Sequence, residues 1–425
     1  MAITLPPVLD QGEEQRAVAA HILRRTGFGP FPGAVEAALD AHGSPDAILE
    51  AAIAAEPIPF PVIEGIDGPL DLENEALGNN ALQKGWVRRM IDDDAGLHEK
   101  MMWFWHTHFT TSLTKAPGPY CWRQLRLLHQ EALGNFGDLA KAMSVDAAML
   151  QFLDGANSQV QDPNENYSRE LLELFTMGRG NYTEDDVRAG ARAMAGWRVV
   201  PDEAGPVRDP MSSLREPVTY LGATKVFTPD LAVDQILAQD ATAPFIVAKL
   251  ARYLIAVDPS PAQVAEWAQL FRSSGYEIRP LVEAMLRSDL FASARLSRSR
   301  HGIEWMCVVL RTTGIDVPDS HYTEAFSQVP YAPPNVAGWP DRWLTTSMFY
   351  ARAAFLYGMD SYGFDLAKEP IGDVTDPVPD LLAHCGLYDV STSTTQALQA
   401  VVDEAPDDQQ RWIRSALLTP EFALA

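Results

Sequence analysis

The sequence predicts a mainly α protein, a large multi-helix orthogonal bundle with one irregular or β-hairpin excursion around residues 198–228. Three observations lead there. Apolar residues recur at helical spacing through most of the 425 residues. Capping residues stand at expected helix starts, as in SPDAILEAAIAAEP, where Ser44 is an N-cap and Pro45 the first helical residue. No dinucleotide-binding, P-loop or Gly-x-Ser-x-Gly pattern marks an α/β unit.

Taken in order, the spacing predicts helices over Glu13 to Arg25, Gly33 to Ala41 and the SPDAILEAAIAAEP segment, then a Pro/Gly-rich loop from Ile58. Gln83 to His108 reads as one long helix or two joined near Asp92–Gly96. Helices follow over Tyr120 to Ala132, Phe136 to Phe152, Glu165 to Met177 and Thr183 to Trp197. Thr183, with Asp186 three residues on, places a cap and an acidic first turn on the last of these. From Arg198 to Phe227 proline, glycine and β-branched residues take over, as a long excursion does. Helical spacing resumes over Leu231–Leu237, Pro244–Ile255, Pro261–Ser273, Ile278–Ser288, Ser297–Thr313, Thr345–Tyr357, Gln396–Glu404 and Asp408–Leu417. An irregular loop, SQVPYAPPNVAGWPDRW, starts at Ser327. The chain reads as one domain over 1–425, or as two helical subdomains over about 1–197 and 229–425.

With 33 basic and 57 acidic residues the net charge is −24. Such a surface repels phosphate backbones and anionic lipid, which argues against nucleic-acid partners and leaves a protein partner open. No run of ~18 apolar residues is long enough to span a membrane. The opening MAITLPPVLDQGEEQ has no basic and apolar leader, so the expected location is cytoplasmic. Cys121, Cys307 and Cys385 are too few and too scattered for a disulfide framework; Cys121 and Cys307 fall in apolar helical patterns.

Four stretches carry polar groups that chemistry could use. In MMWFWHTHF, His106 and His108 are two residues apart, so on a helix they point ~200° apart and cannot grip one metal from one face. Each is either a neutral core histidine or, mostly for His108, a metal ligand or proton carrier. In PNENYSRELLELFTMG, Asn166, Arg169, Glu170, Glu173 and Met177 share one edge of the helix. Exposed, that edge is a solvated ion-pair face; buried, Glu170 and Glu173 can chelate a divalent ion or share a proton. The Glu-x-x-His pattern of di-iron helices is missing. In HILRRTGFGP, His21, Arg24 and Arg25 can clamp an anion, or pair internally with carboxylates. In YAPPNVAGWPDRW, the prolines, Gly338, Trp339 and Trp343 suit a pocket wall or, as the preferred reading, a plug closing the core.

Together and in this order, HILRRTGFGP, EKMMWFWHTHFTTS, FLDG, PNENYSRELLELFTMGRGNYTEDDVRAGARAMAGW, PFIVAKLARYLI and APPNVAGWPDRW resemble the bacterial family called domain of unknown function 1800. The resemblance runs from residue 21 to about residue 355 and implies an all-helical fold, with many relatives exported. It brings no activity. Its motif positions include His21, Arg24, Arg25, His108, Asn164, Asn166, Arg169, Glu170, Glu173 and Asn335. Phe175 stands where some relatives carry histidine, which removes one candidate ligand.

The preferred reading is an enzyme whose motif residues converge on one polar pocket and perform metal-assisted hydrolysis or redox chemistry. There His108, Glu170 and Glu173 serve as acid/base groups or metal ligands and Arg169 as an anion clamp, with His21, Arg24, Arg25, Asn166 and Asn335 binding substrate. The alternative is a non-catalytic helical scaffold, which an exposed apolar patch away from the motifs would favour. A third reading makes His108 an axial haem ligand.

Overall fold

Helices begin where side chains satisfy the free backbone N–H groups of a first turn. Asp10 and Glu13 form a capping box on α1 (Gln11–Thr26). Gly33, with φ +75°, leads into α2 (Ala34–His42), and Ser44 caps α3 (Pro45–Ala54), accepting from Ala47 N. The computed structural model describes residues 9–425 except 65, 67–72, 74–77, 93–94, 201–202, 204, 256–257, 318–327, 340–342, 362 and 373, and the side chains of 360 and 361. Residues 1–8, much of the loop after Ile58 and the start of the loop at Ser327 lie outside the described residues.

Next come α4 (Asn79–Met90), α5 (Leu97–His108), α6 (Gly118–Glu131), α7 (Phe136–Ser144) and α8 (Ala147–Phe152). The stretch from Gln83 to His108 is thus two helices. Phe136 to Phe152 also divides, because the Asp146 side chain accepts from Met149 N and starts a new helix. Then follow α9 (Glu165–Glu170), continued by a π turn over Leu171–Thr176, and α10 (Glu184–Met194), whose cap is the expected Thr183–Asp186 box.

The excursion holds two small antiparallel pairs. Strands β1 (Trp197–Arg198) and β2 (Val207–Arg208) form one, β3 (Val218–Tyr220) and β4 (Ala223–Lys225) the other. Leu221 and Gly222 both have positive φ, which gives the tight hairpin turn a twist matching its strands. The second half continues with α11 (Pro229–Leu237), α12 (Thr242–Leu254), α13 (Pro261–Ser273), α14 (Ile278–Leu286), α15 (Asp289–Ala292), α16 (Gly302–Thr313), α17 (Thr346–Ser361), α18 (Pro377–His384), α19 (Thr392–Glu404) and α20 (Gln409–Leu417). Helix α16 starts five residues later than its apolar spacing suggests. Arg298 exchanges backbone hydrogen bonds with Ala425, Arg300 N donates to Ala423 O, and Glu304 accepts from the His301 N–H to begin the helix.

Buried apolar residues from Ala19 to Phe422 form one continuous cluster. Polar links also cross from one half to the other: His21 to Phe291 O, Lys100 to Glu304, and Tyr331 N to His106. Among the described residues no helix is long and apolar enough to cross a membrane. All three cysteines are buried and free.

Candidate functional site

The two histidines of FWHTHF point to different faces of α5, as helical geometry requires. His106 sits among Trp86, Trp103, Tyr331 and Trp339, with ring centroids 4.3–5.6 Å away. Its Nε2 accepts from the Tyr331 N–H at 3.1 Å, so its proton belongs on Nδ1. His108 sits among Phe104, Trp105, Phe109 and Phe175. Its Nε2 lies 2.9 Å from Phe175 O. A carbonyl only accepts, so here the proton belongs on Nε2. One helix thus holds two histidines as opposite tautomers. Burial pulls His106 down to about 3 and His108 well below the usual imidazole range, the latter helped by Lys249. Both are neutral at pH 7.

The loop over the His106 face explains Gly338. Its φ is +82°, and a Cβ there would stand 3.1 Å from Thr107 O and Thr110 Oγ1. The end of α5 and the PNVAGW turn therefore touch backbone to side chain with no room for a larger residue. Asn335 is exposed, and its Oδ1 accepts from Ala337 N to shape that turn.

The π turn is what His108 contacts. Met177 N bonds Leu172 O, five residues back, and Thr176 Oγ1 bonds Leu171 O. The wider turn carries the chain out of α-helical register, and the carbonyls at its end need outside donors. Phe175 O receives His108 Nε2, and Leu174 O receives Lys249 Nζ at 3.1 Å. His108 does reach the motif helix, but on its backbone and not on its carboxylates. Lys249 is lowered to about 8, by burial first and Arg252 second.

The other side of this helix is an ion-pair face. Arg169 grips Glu184 through two bonds of 2.6 and 2.7 Å. Glu173 accepts from Arg179 and from the Tyr182 hydroxyl, which together hold its carboxyl below the usual range. Glu170 is half-buried, and burial followed by the charge of Glu173 raises it. Asn166 is exposed; the amide that builds this corner is Asn164, which accepts from Tyr167 N and donates to Leu153 O and Asp154 O. The structure does not bring the expected ligand set of His108, Glu170 and Glu173 together. His108 Nε2 is engaged with the Phe175 carbonyl, and among the described residues no group of three His, Cys, Asp or Glu side chains comes together.

HILRRTGFGP builds a different place. His21 Nε2 lies 3.0 Å from Phe291 O, and burial, then Arg25, pulls its pKa to about 3. Arg25 donates to Leu254 O, Ala294 O and Ser297 Oγ. Arg24 donates to Gly386 O. Beneath them Lys100 donates to Gly27 O and pairs with Glu304, which also receives Arg298 Nη2 at 2.8 Å. Arg24, Arg25, Lys100, Arg300 and Glu304 are all at most 2% exposed. The sequence shows Arg24 and Arg25 readily, but nothing in their spacing reveals that they meet residues near 300.

A further feature has no local sequence signal at all. A cleft of about 420 Å³ opens between the start of α17 and the end of α20, lined by Trp305, Trp343, Leu344, Phe349, Leu417 and Leu424 among others. Leu344 and Phe349 at its edge are 63% and 56% exposed, an uncommon display of apolar surface. Arg352 also lines it, yet is only 4% exposed. Its Nη2 donates to Arg300 O, its guanidinium lies 5.5 Å over the Trp305 ring, and its Nε has no partner among the described residues.

Residues 21–424 match the family model described as "Protein of unknown function (DUF1800)". No curated protein and no solved structure matches the chain.

Proposed function

The chain belongs to the DUF1800 family, and from that premise, which assigns no activity, we propose that it is a helical binding scaffold whose ligand is an apolar chain with one anionic end. The observation that carries this is Arg352, a buried cation with no carboxylate partner among the described residues, at the wall of a mostly apolar cleft. Burial lowers its pKa to about 10, so it stays charged. A cleft of this volume suits a small ligand, with convergent polar groups setting orientation. The motif residues, in this reading, hold the helices in order: His108 on the π turn, His21 on α15, and Lys100, Arg298 and Glu304 between α5 and α16.

Calorimetric titration with decanoate and decanol tests it. Decanoate should bind to a single site and decanol at least tenfold more weakly, with the difference lost in Arg352→Met. Equal binding of acid and alcohol, or none of either, would overturn the reading.

One observation supports catalysis as a second reading. Glu170 is raised and Glu173 lowered, and carboxyl groups whose surroundings drive them apart are how acid/base pairs are made. Arg169 and Asn166 would then position substrate on that face. A hydrolase substrate screen, with turnover abolished in Glu170→Gln, would support it; turnover unchanged in that variant would remove it.

A further inference from the structure

At the meeting of α1 and α16 the positive charges outnumber the negative ones. Arg24, Arg25, Lys100, Arg298 and Arg300 converge there, and Glu304 is the one fully buried side-chain carboxylate among them in the described residues. That carboxylate is used up. One oxygen receives Lys100 and Arg298, and the other receives the His301 N–H. Asp389 lends a favourable field to Arg24, but its ion pair is with Arg295. Among the described residues neither Arg24 nor Arg300 has an ion pair.

The unpaired groups share one space. Arg24 Nε and Nη1 and Arg300 Nη1 and Nη2 are buried without hydrogen-bond partners, and Arg24 and Arg300 are 2% and 1% exposed. Both side chains line a cavity of about 10 Å³, together with Phe28, Gly29, Lys100 and Val308, with Glu304 and the Ala425 backbone at its border. Gly29 keeps the space open: its φ is +92°, and an added Cβ would stand 3.4 Å from Arg300 Nη1 and 2.5 Å from Val308 Cγ2.

Guanidinium groups do not deprotonate in proteins, so the charge cannot be relieved by losing a proton. Water in the cavity accepts hydrogen bonds but leaves the charge uncompensated in a medium that penalises it heavily. We infer that a monoatomic anion, chloride in ordinary buffers, is bound between the guanidinium groups of Arg24 and Arg300. The cavity is the size of about one water, so it excludes phosphate, sulfate and carboxylate ligands. Glu304 does not repel the ion decisively, because its charge is already neutralised by Lys100 and Arg298. The anion completes the core, tying α1 to the segment that starts α16. This is a different place from the Arg352 cleft and stands or falls without it.

Crystals of the unaltered protein grown or soaked in sodium bromide provide the first test. An anomalous peak between the two guanidinium groups is expected; a well-ordered site with no anomalous signal would overturn the inference. The second test compares melting midpoints in sodium chloride and in sodium gluconate at matched ionic strength. The midpoint should rise saturably with chloride by a few degrees relative to gluconate, and Arg300→Gln should lose that dependence. Identical midpoints in the two salts would contradict the site even if Arg300→Gln fails to fold.

Discussion

The π-turn corner and the α1–α16 junction use the same side chains, arginine and glutamate, to opposite ends. At the π turn the charges lie near the surface and are matched locally: Arg169 with Glu184, Glu173 with Arg179 and Tyr182. At the junction they are buried and mismatched, with several cations around Glu304. Sequence motifs of the same polarity therefore differ in consequence. A satisfied surface pair contributes little, whereas a buried charge needs every partner it has.

Glu304→Gln should break this contrast most sharply. It leaves Lys100 and Arg298 buried without their counter-charge and should cost about 3–5 kcal/mol in urea denaturation. A cost below that of an ordinary surface substitution would mean the junction is solvated. His108→Ala comes next. It removes the donor to Phe175 O and a ring from the aromatic core, for an expected loss of about 2–4 kcal/mol. His108→Gln, which keeps a donor, should recover part of that loss; identical losses in both variants would show that the bond to the π turn contributes nothing.

Acid should weaken the fold through the buried histidines. Their folded pKa values lie below the unfolded value near 6.5: about 3 for His21, His106 and His301, about 4 for His98, and well below 6.5 for His108. The unfolded chain binds more protons in that window, so stability is present above about pH 6.5 and is lost as pH falls towards 3. Asp146, raised to about 6 by burial, opposes this over the acid side of the window, as do Glu131, Glu170 and Asp389, which burial also raises, while His384 adds to the histidine effect. The urea midpoint should drop between pH 7.5 and pH 5; a flat or rising profile would mean that these rings are solvated. Arg169→Ala should do least, leaving the midpoint almost unmoved, and a large loss there would erase the difference between the two corners.

Much of this was legible in the sequence where local rules govern. Helical geometry alone separates His106 from His108, and Ser44 and Thr183 act as caps where capping chemistry places them. The excursion at 198–228 announces itself by composition, although it holds two strand pairs where one hairpin is expected. The π turn is hidden, because LLELFT reads equally well at α spacing and one extra residue in a turn leaves no mark on composition. Helix α18 escapes because Pro377 and Pro379 read as loop, though proline is tolerated in a first turn. The convergence expected for His108, Glu170 and Glu173 fails for a simple reason. A side chain can approach a helix through its carbonyls as readily as through its carboxylates, and spacing does not distinguish the two. The cleft is invisible because Trp305, Phe349 and Leu417 lie far apart in the chain.

The most direct measurement is decanoate binding to three proteins side by side: the unaltered chain, His108→Gln and Arg352→Met. If the motif residues support the fold while the C-terminal cleft holds the ligand, the first two bind alike and Arg352→Met loses at least tenfold in affinity. Binding abolished by His108→Gln and untouched by Arg352→Met would place the site at the π turn and contradict this account.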